Sequence, residues 1–108
     1  MADLFLTSEN AYQTTGPAAP WLGRCCPTAV FYAKILGIVW RASKLARRGV
    51  YDNRCWIESS LTTIRALEAV GGRFEIRGLE NVRGLASPAV FIGNHMSILE
   101  TFVLPCLI

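Results

Sequence analysis

The chain has one histidine, His95, among 108 residues. Its four cysteines, Cys25, Cys26, Cys55 and Cys106, show no metal-ligand spacing. Neither a zinc site nor any other metal or cofactor site is expected from that inventory. Adjacent Cys25 and Cys26 cannot readily pair with each other, and free thiols point to a reducing, cytoplasmic setting. No acidic residue stands between Glu9 and Asp52. No apolar run reaches membrane length: Thr28 to Trp40 would make a helix of roughly 20 Å, against about 30 Å of hydrocarbon, and Lys34 interrupts it. The start, Met1-Ala2-Asp3-Leu4-Phe5-Leu6, is acidic and too short in its apolar run to read as a signal peptide. A Gly-x-Ser-x-Gly nucleophile elbow is missing, Gly71-Gly72 belongs to no phosphate-cradling pattern, and no internal repeat occurs.

What is present is apolar and locally basic. Hydrophobic residues make up 52% of the chain, and the formal charge is +3. Arg24, Lys34, Arg41, Lys44, Arg47 and Arg48 all fall in the acid-free stretch. A basic block within apolar sequence suits an anionic membrane surface better than nucleic acid, which calls for basic residues spread over a polar surface. Residues 1–23, with Thr7-Ser8-Glu9-Asn10 and Thr14-Thr15-Gly16-Pro17, have turn and linker composition and read as a flexible N-terminal segment. Residues 24–50 hold a helix opened by Pro27 and stopped by Gly49. At about 100° per residue, Lys34, Arg41, Lys44 and Arg48 share one sector, with Tyr32, Ile35, Leu36, Val39 and Ala46 on the other side. Such a helix either lies in a membrane interface or packs its apolar side on the domain's own core.

Residues 51–108 read as the first part of a second unit. Asp52 or Asn53 caps a helix in which Ile57, Leu61, Ile64 and Leu67 recur at helical spacing, ended by Gly71-Gly72. The period then changes to two across Arg73-Phe74-Glu75-Ile76-Arg77, as in a half-buried strand. Ala89 to Ile92 is a continuous apolar run, consistent with a strand buried on both faces. A further helix follows, with Ile98, Leu99, Phe102 and Val103 on its apolar side. This order predicts an α/β domain, preceded by membrane-associated helices and cut off early. The uncapped apolar end, Thr101 to Ile108, supports the last point.

The candidate site lies in Val90-Phe91-Ile92-Gly93-Asn94-His95-Met96-Ser97-Ile98-Leu99-Glu100. On one continuous helix, His95 and Glu100 would sit about 140° apart and could not meet. They meet only if His95 precedes the helix, with Gly93 and Asn94 making the turn. The carboxylate would then orient the imidazole and stabilise its protonated form, leaving one ring nitrogen as a base. The competing reading is a capping box. In Ser97-Ile98-Leu99-Glu100, serine caps the helix and glutamate serves the backbone.

Phe74-Glu75-Ile76-Arg77-Gly78-Leu79-Glu80-Asn81-Val82, then Pro88 to Ile92, then Asn94-His95-Met96-Ser97-Ile98-Leu99-Glu100, resembles the glycerolipid acyltransferases, in particular the 1-acylglycerol-3-phosphate acyltransferases. Their first motif is Asn-His-x4-Asp, usually with serine two places after histidine, behind a Gly-x-Glu-Asn-x turn and a hydrophobic strand. The resemblance implies transfer of a fatty acyl group from an acyl-CoA or acyl-carrier-protein thioester to the hydroxyl of a lysophospholipid, giving phosphatidic acid. His95 would be the general base and Glu100 the carboxylate that holds it. Glutamate replaces the family's usual aspartate, and its extra methylene changes the reach. The family's arginine-bearing and Pro-Glu-Gly motifs, which bind the acceptor's phosphate, would lie beyond Ile108, so the 108-residue chain alone is expected to be inactive. The resemblance also implies association with the cytoplasmic face of a membrane. Another acceptor, such as glycerol 3-phosphate, or a non-catalytic membrane-surface module are the alternative readings.

Overall fold

Pro27 starts a 21-residue helix because its fixed φ suits the first helical position, where no N–H partner is needed. In the computed structural model, which describes residues 11–16, 20–85, 88–97 and 99–107, this is α2, Pro27–Arg47. Lys44 and Arg47 in its last turn complement the helix dipole. Gly49, at φ 68°, closes it: the Gly49 amide donates to Ala46 (3.0 Å) and the Val50 amide to Leu45 (3.2 Å). Before it come the strand β1, Ala11–Gln13, and the short helix α1, Trp21–Cys25. Helix α3, Asn53–Glu68, is capped by the Asp52 carboxylate, which accepts from the Cys55 amide at 2.9 Å. Gly71, at φ 94°, and the bond from the Gly72 amide to the Leu67 carbonyl (2.9 Å) end it. Strand β2, Glu75–Arg77, the turn-like α4, Glu80–Arg83, and α5, Leu99–Val103, follow, with a 3-10 turn over Leu104–Cys106.

Helix α3 is the centre of the molecule, packed by α2, α5 and the 3-10 turn. Its inner face supplies Leu61, Ile64 and Ala66, with Ile64 at 0% exposure, and Leu79 joins them. The two polar residues buried on α3 are both satisfied: the Ser60 hydroxyl donates across to the Val103 carbonyl (3.0 Å) and the Thr63 hydroxyl, within the helix, to the Ser59 carbonyl (2.9 Å). Burial without such partners would cost about 1–3 kcal/mol for each group. Helix α1 packs so closely on the end of α3 that a Cβ on buried Gly23 would stand 2.4 Å from the Ala69 carbonyl oxygen.

The expected α/β fold is corrected by this architecture. The described residues are mainly helical, and their one sheet is an antiparallel ribbon pairing Ala11 with Arg77, Tyr12 with Ile76 and Gln13 with Glu75. The apolar run expected as a doubly buried strand is irregular and exposed, Val90 at 88% and Ile92 at 94%. A buried strand needs neighbours on its edges and layers on its faces. Here β2 pairs only with β1, and the run meets no strand among the described residues.

Strand β1 lies within the stretch read from composition as linker, and its side chains are tied down. Tyr12 and Thr14 both donate hydroxyl hydrogen bonds to Glu68 Oε1, at 2.6 and 2.7 Å. Residues 1–10 and 17–19 of that segment, and Ile98 of the last helix's apolar side, lie outside the described residues. No helix among those described is long and apolar enough to cross a membrane. Helix α2 turns Phe31, Ile35, Ile38, Ala42 and Leu45 inward, all only partly buried, and leaves Tyr32, Leu36, Val39 and Trp40 exposed. Its apolar surface is thus divided between core and solvent.

Candidate active site

Helix α5 is only five residues long, so its position depends on what grips it. The Ser60 hydroxyl holds its last carbonyl, Val103, which also accepts from the Cys106 thiol at 3.1 Å. Buried Pro105 seats the 3-10 turn that follows. The helix start is therefore presented at a defined place on α3. Segment 88–97 reaches it without regular structure. The turn anticipated at Gly93 and Asn94 uses no left-handed backbone: the positive-φ residues among those described are Gly49, Gly71 and Gly78.

His95 stands ahead of α5, and Glu100 in its first turn reaches back to it. Glu100 Oε2 lies 2.8 Å from His95 Nδ1. Glu100 Oε1 accepts from the amides of Met96 (2.8 Å) and Ser97 (3.2 Å), and the Ser97 hydroxyl accepts from the Leu99 amide at 3.1 Å. The sequence presented the histidine contact and the capping box as rivals. The structure contains both, because one carboxylate has two oxygens and divides them. Glutamate's added methylene gives enough reach for the backbone on one side and the ring on the other.

The Met96 amide holds the Glu100 carboxyl below the usual carboxylate range; burial opposes it, and the weaker His95 and Ser97 contacts act in the same direction as Met96. Glu100 is thus an anion at neutral pH and can only accept. The hydrogen in the His95 contact must then belong to Nδ1, and the neutral ring carries its lone pair on Nε2. That nitrogen makes no hydrogen bond to any described residue, and the side chain is 71% exposed, against 33% for Glu100. The pair can accept a proton from a molecule arriving from solvent.

Beside it, α5 and the start of α3 enclose an apolar groove of about 470 Å³, lined by Asn53, Trp56, Ile57, Thr101, Leu104 and Pro105. Trp56 escaped the sequence reading. It falls outside the spacing that marks the inner face of α3, and its role depends on where α5 is placed. No group of three or more His, Cys, Asp or Glu residues among those described is arranged to hold a metal ion. The chain matches no family model, and neither a curated protein nor a solved structure is significantly similar to it.

Proposed function

We propose that this chain carries the proton-transfer pair of an acyltransferase that acts on lysophospholipids at a membrane surface. The observation that carries the reading is the 2.8 Å contact between Glu100 Oε2 and His95 Nδ1, with Nε2 open to solvent. In the proposed reaction Nε2 takes the proton of the acceptor hydroxyl as its oxygen attacks the thioester carbonyl. The tetrahedral adduct collapses by breaking the carbon–sulfur bond, and the imidazolium returns the proton to the departing sulfur. The products are a new ester and a free thiol, with no acyl-enzyme. Glu100 stabilises the imidazolium during the cycle and fixes which nitrogen faces the acceptor. The apolar groove along Trp56, Ile57 and Leu104 offers an acyl chain a place beside this helix. The exposed Tyr32, Leu36, Val39 and Trp40 and the cations of α2 suit contact with the headgroup region of an anionic, cytoplasmic-facing bilayer.

A non-catalytic membrane-surface module is the second reading. It is favoured by the two backbone amides on Glu100 Oε1, which would need a carboxylate there even without chemistry. The two readings separate in an assay of the full-length protein with a long-chain acyl thioester and 1-acylglycerol 3-phosphate, following thiol release and phosphatidic acid. His95→Ala should lower turnover by about 10² to 10⁴ while leaving melting unchanged. Turnover by His95→Ala equal to wild type overturns the proposal.

A further inference from the structure

We infer that the groove between α2 and α3 is a phosphate-binding site, formed by Lys34 and Arg41 from one helix and Arg65 from the other. These three cations line one opening of about 310 Å³, together with Gly37, Ile38 and Thr62. The inference rests on α2 and α3 alone and is independent of the acyl-transfer reading.

The first support is charge without an ion-pair or hydrogen-bond partner among the described residues. Lys34, Arg41 and Arg65 make no ion pair or hydrogen bond to any described residue. Helix α2 has no acidic residue with which to neutralise them, and the two acids of α3 have other partners, although Glu58 stands on the adjoining opening that Arg41 also lines. Glu58 pairs with Arg54 at 3.7 Å, and Glu68 accepts the Tyr12 and Thr14 hydroxyls. Lys44, which shares the basic side of α2, is drawn away over the Trp40 ring, 5.1 Å from its centre. Three like charges converging on one groove repel one another, and a bound anion relieves that repulsion.

The second support is Gly37. Glycine inside a helix costs roughly 1 kcal/mol relative to alanine, so a packing reason is usually found for it. None exists here: a Cβ at Gly37 would meet nothing within 4 Å. Gly37 lies on the same side of α2 as Lys34 and Arg41, three residues after one and four before the other, and forms part of the groove wall. Any side chain there would project into the opening that the cations surround. The missing side chain keeps the groove clear.

The chemistry selects phosphate. Two guanidinium forks and an ammonium provide planar, paired donors and three positive charges, which fit a tetrahedral dianion better than a single carboxylate. The Thr62 hydroxyl already donates to the Glu58 carbonyl at 2.7 Å, so the cations must do the binding. The groove is larger than a bare phosphate and leaves room for the ester it carries.

The test titrates the full chain with inorganic phosphate at constant ionic strength, following backbone amide resonances of α2 and α3. Saturable shifts centred on Gly37 and Arg65 are expected. Arg65→Gln and Gly37→Gln should each weaken binding at least about tenfold with melting no lower than wild type, since Arg65 is exposed and Gly37 stands in open space. Arg48→Gln, just past the end of α2 and outside the groove, should bind as wild type. Unchanged affinity in either groove variant, or an equal loss in Arg48→Gln, overturns the site in favour of general surface charge. A second arm uses phosphatidylcholine vesicles with and without phosphatidic acid. Capture by the acidic vesicles that Arg65→Gln abolishes identifies a lipid headgroup as the source; phosphate binding without such capture identifies a free phosphate ester. Loss of both kinds of binding in wild type sinks the inference.

Discussion

Glu68 and Glu100 do the same mechanical work at two places and differ in what they hold. Each ties an extended stretch of chain to a helix through more than one hydrogen bond. Glu68, at the end of α3, gathers the hydroxyls of Tyr12 and Thr14 and so fastens the β1–β2 ribbon. Glu100, at the start of α5, gathers two backbone amides and an imidazole. The Tyr12 hydroxyl is pushed up to about 12 by burial and by Glu68, so it stays a neutral donor under ordinary conditions. His95 has a second nitrogen facing solvent. The same carboxylate device therefore makes a structural seam in one region and a candidate reaction centre in the other. The deciding difference is whether the partner retains an unused, titratable atom.

The largest effect separating the two seams should come from Glu100→Gln. Its amide oxygen can still accept from Met96 and Ser97, but the negative charge beside the ring is gone. In the full-length protein the proposed chemistry then loses about 10² or more in turnover, with melting close to wild type. Glu100→Asp should stay within about tenfold of wild type, since the charge remains. Normal turnover in Glu100→Gln would reduce Glu100 to a second Glu68, a structural tie only.

Stability should be most sensitive at the Glu68 end. Gly23→Ala places a methyl group 2.4 Å from the Ala69 carbonyl oxygen, so backbone must move. Overpacking of this kind costs about 1–3 kcal/mol, measurable by chemical denaturation. Gly37→Ala, in open space, should instead be neutral or stabilising. An equal response at the two glycines would contradict the close crossing of α1 and α3.

Tyr12→Phe should cost less, about 1 kcal/mol, by removing one of the two hydroxyls on Glu68. It should also change the alkaline limb of stability. The folded-state pKa of Tyr12, about 12, lies above the unfolded value near 10, so the folded protein holds that proton more tightly. The resulting stabilisation is complete below pH 10 and is lost as pH rises from about 10 to 12. The phenylalanine variant should lack that decline. The smallest effect is expected at the acid end: the Glu100 carboxyl is lowered, so its contribution is present above the ordinary carboxylate range and fades as pH falls through its folded-state value. Amide exchange at Met96 and Ser97 should report this fading before global unfolding.

Much of the helical framework could be read directly. Pro27 and Gly49 bracket α2 because their backbone preferences act locally, whatever surrounds them. Asp52 caps α3 for the same reason. The strand expected over Arg73 to Arg77 is present only as Glu75–Arg77, and its partner, Ala11–Gln13, came from a stretch whose composition suggested a linker. Composition reports average solubility and carries no information about a hydroxyl that finds a carboxylate more than fifty residues away. The apolar run through Val90 to Ile92 misled in the opposite direction, since hydrophobicity states a demand for burial without supplying the partner strand.

At the candidate site, spacing alone showed that His95 and Glu100 can meet only across a helix start, and the residue types limited the chemistry to proton transfer or capping. Local sequence could not show that both contacts form together, because that depends on which oxygen of Glu100 points where. That direction is set by the seating of α5 on α3, through Ser60, Val103 and Pro105. The cationic groove shows the same division. Lys34 and Arg41 share a helix face by periodicity alone, whereas Arg65 joins them only because α3 packs alongside α2. The sequence by itself determined the two long helices, their ends and the short-range pairings, all governed by backbone preferences and contacts within a turn or two. Only the tertiary structure decided which faces were buried, which strand found a partner and which charges converged, since each depends on packing between segments distant along the chain.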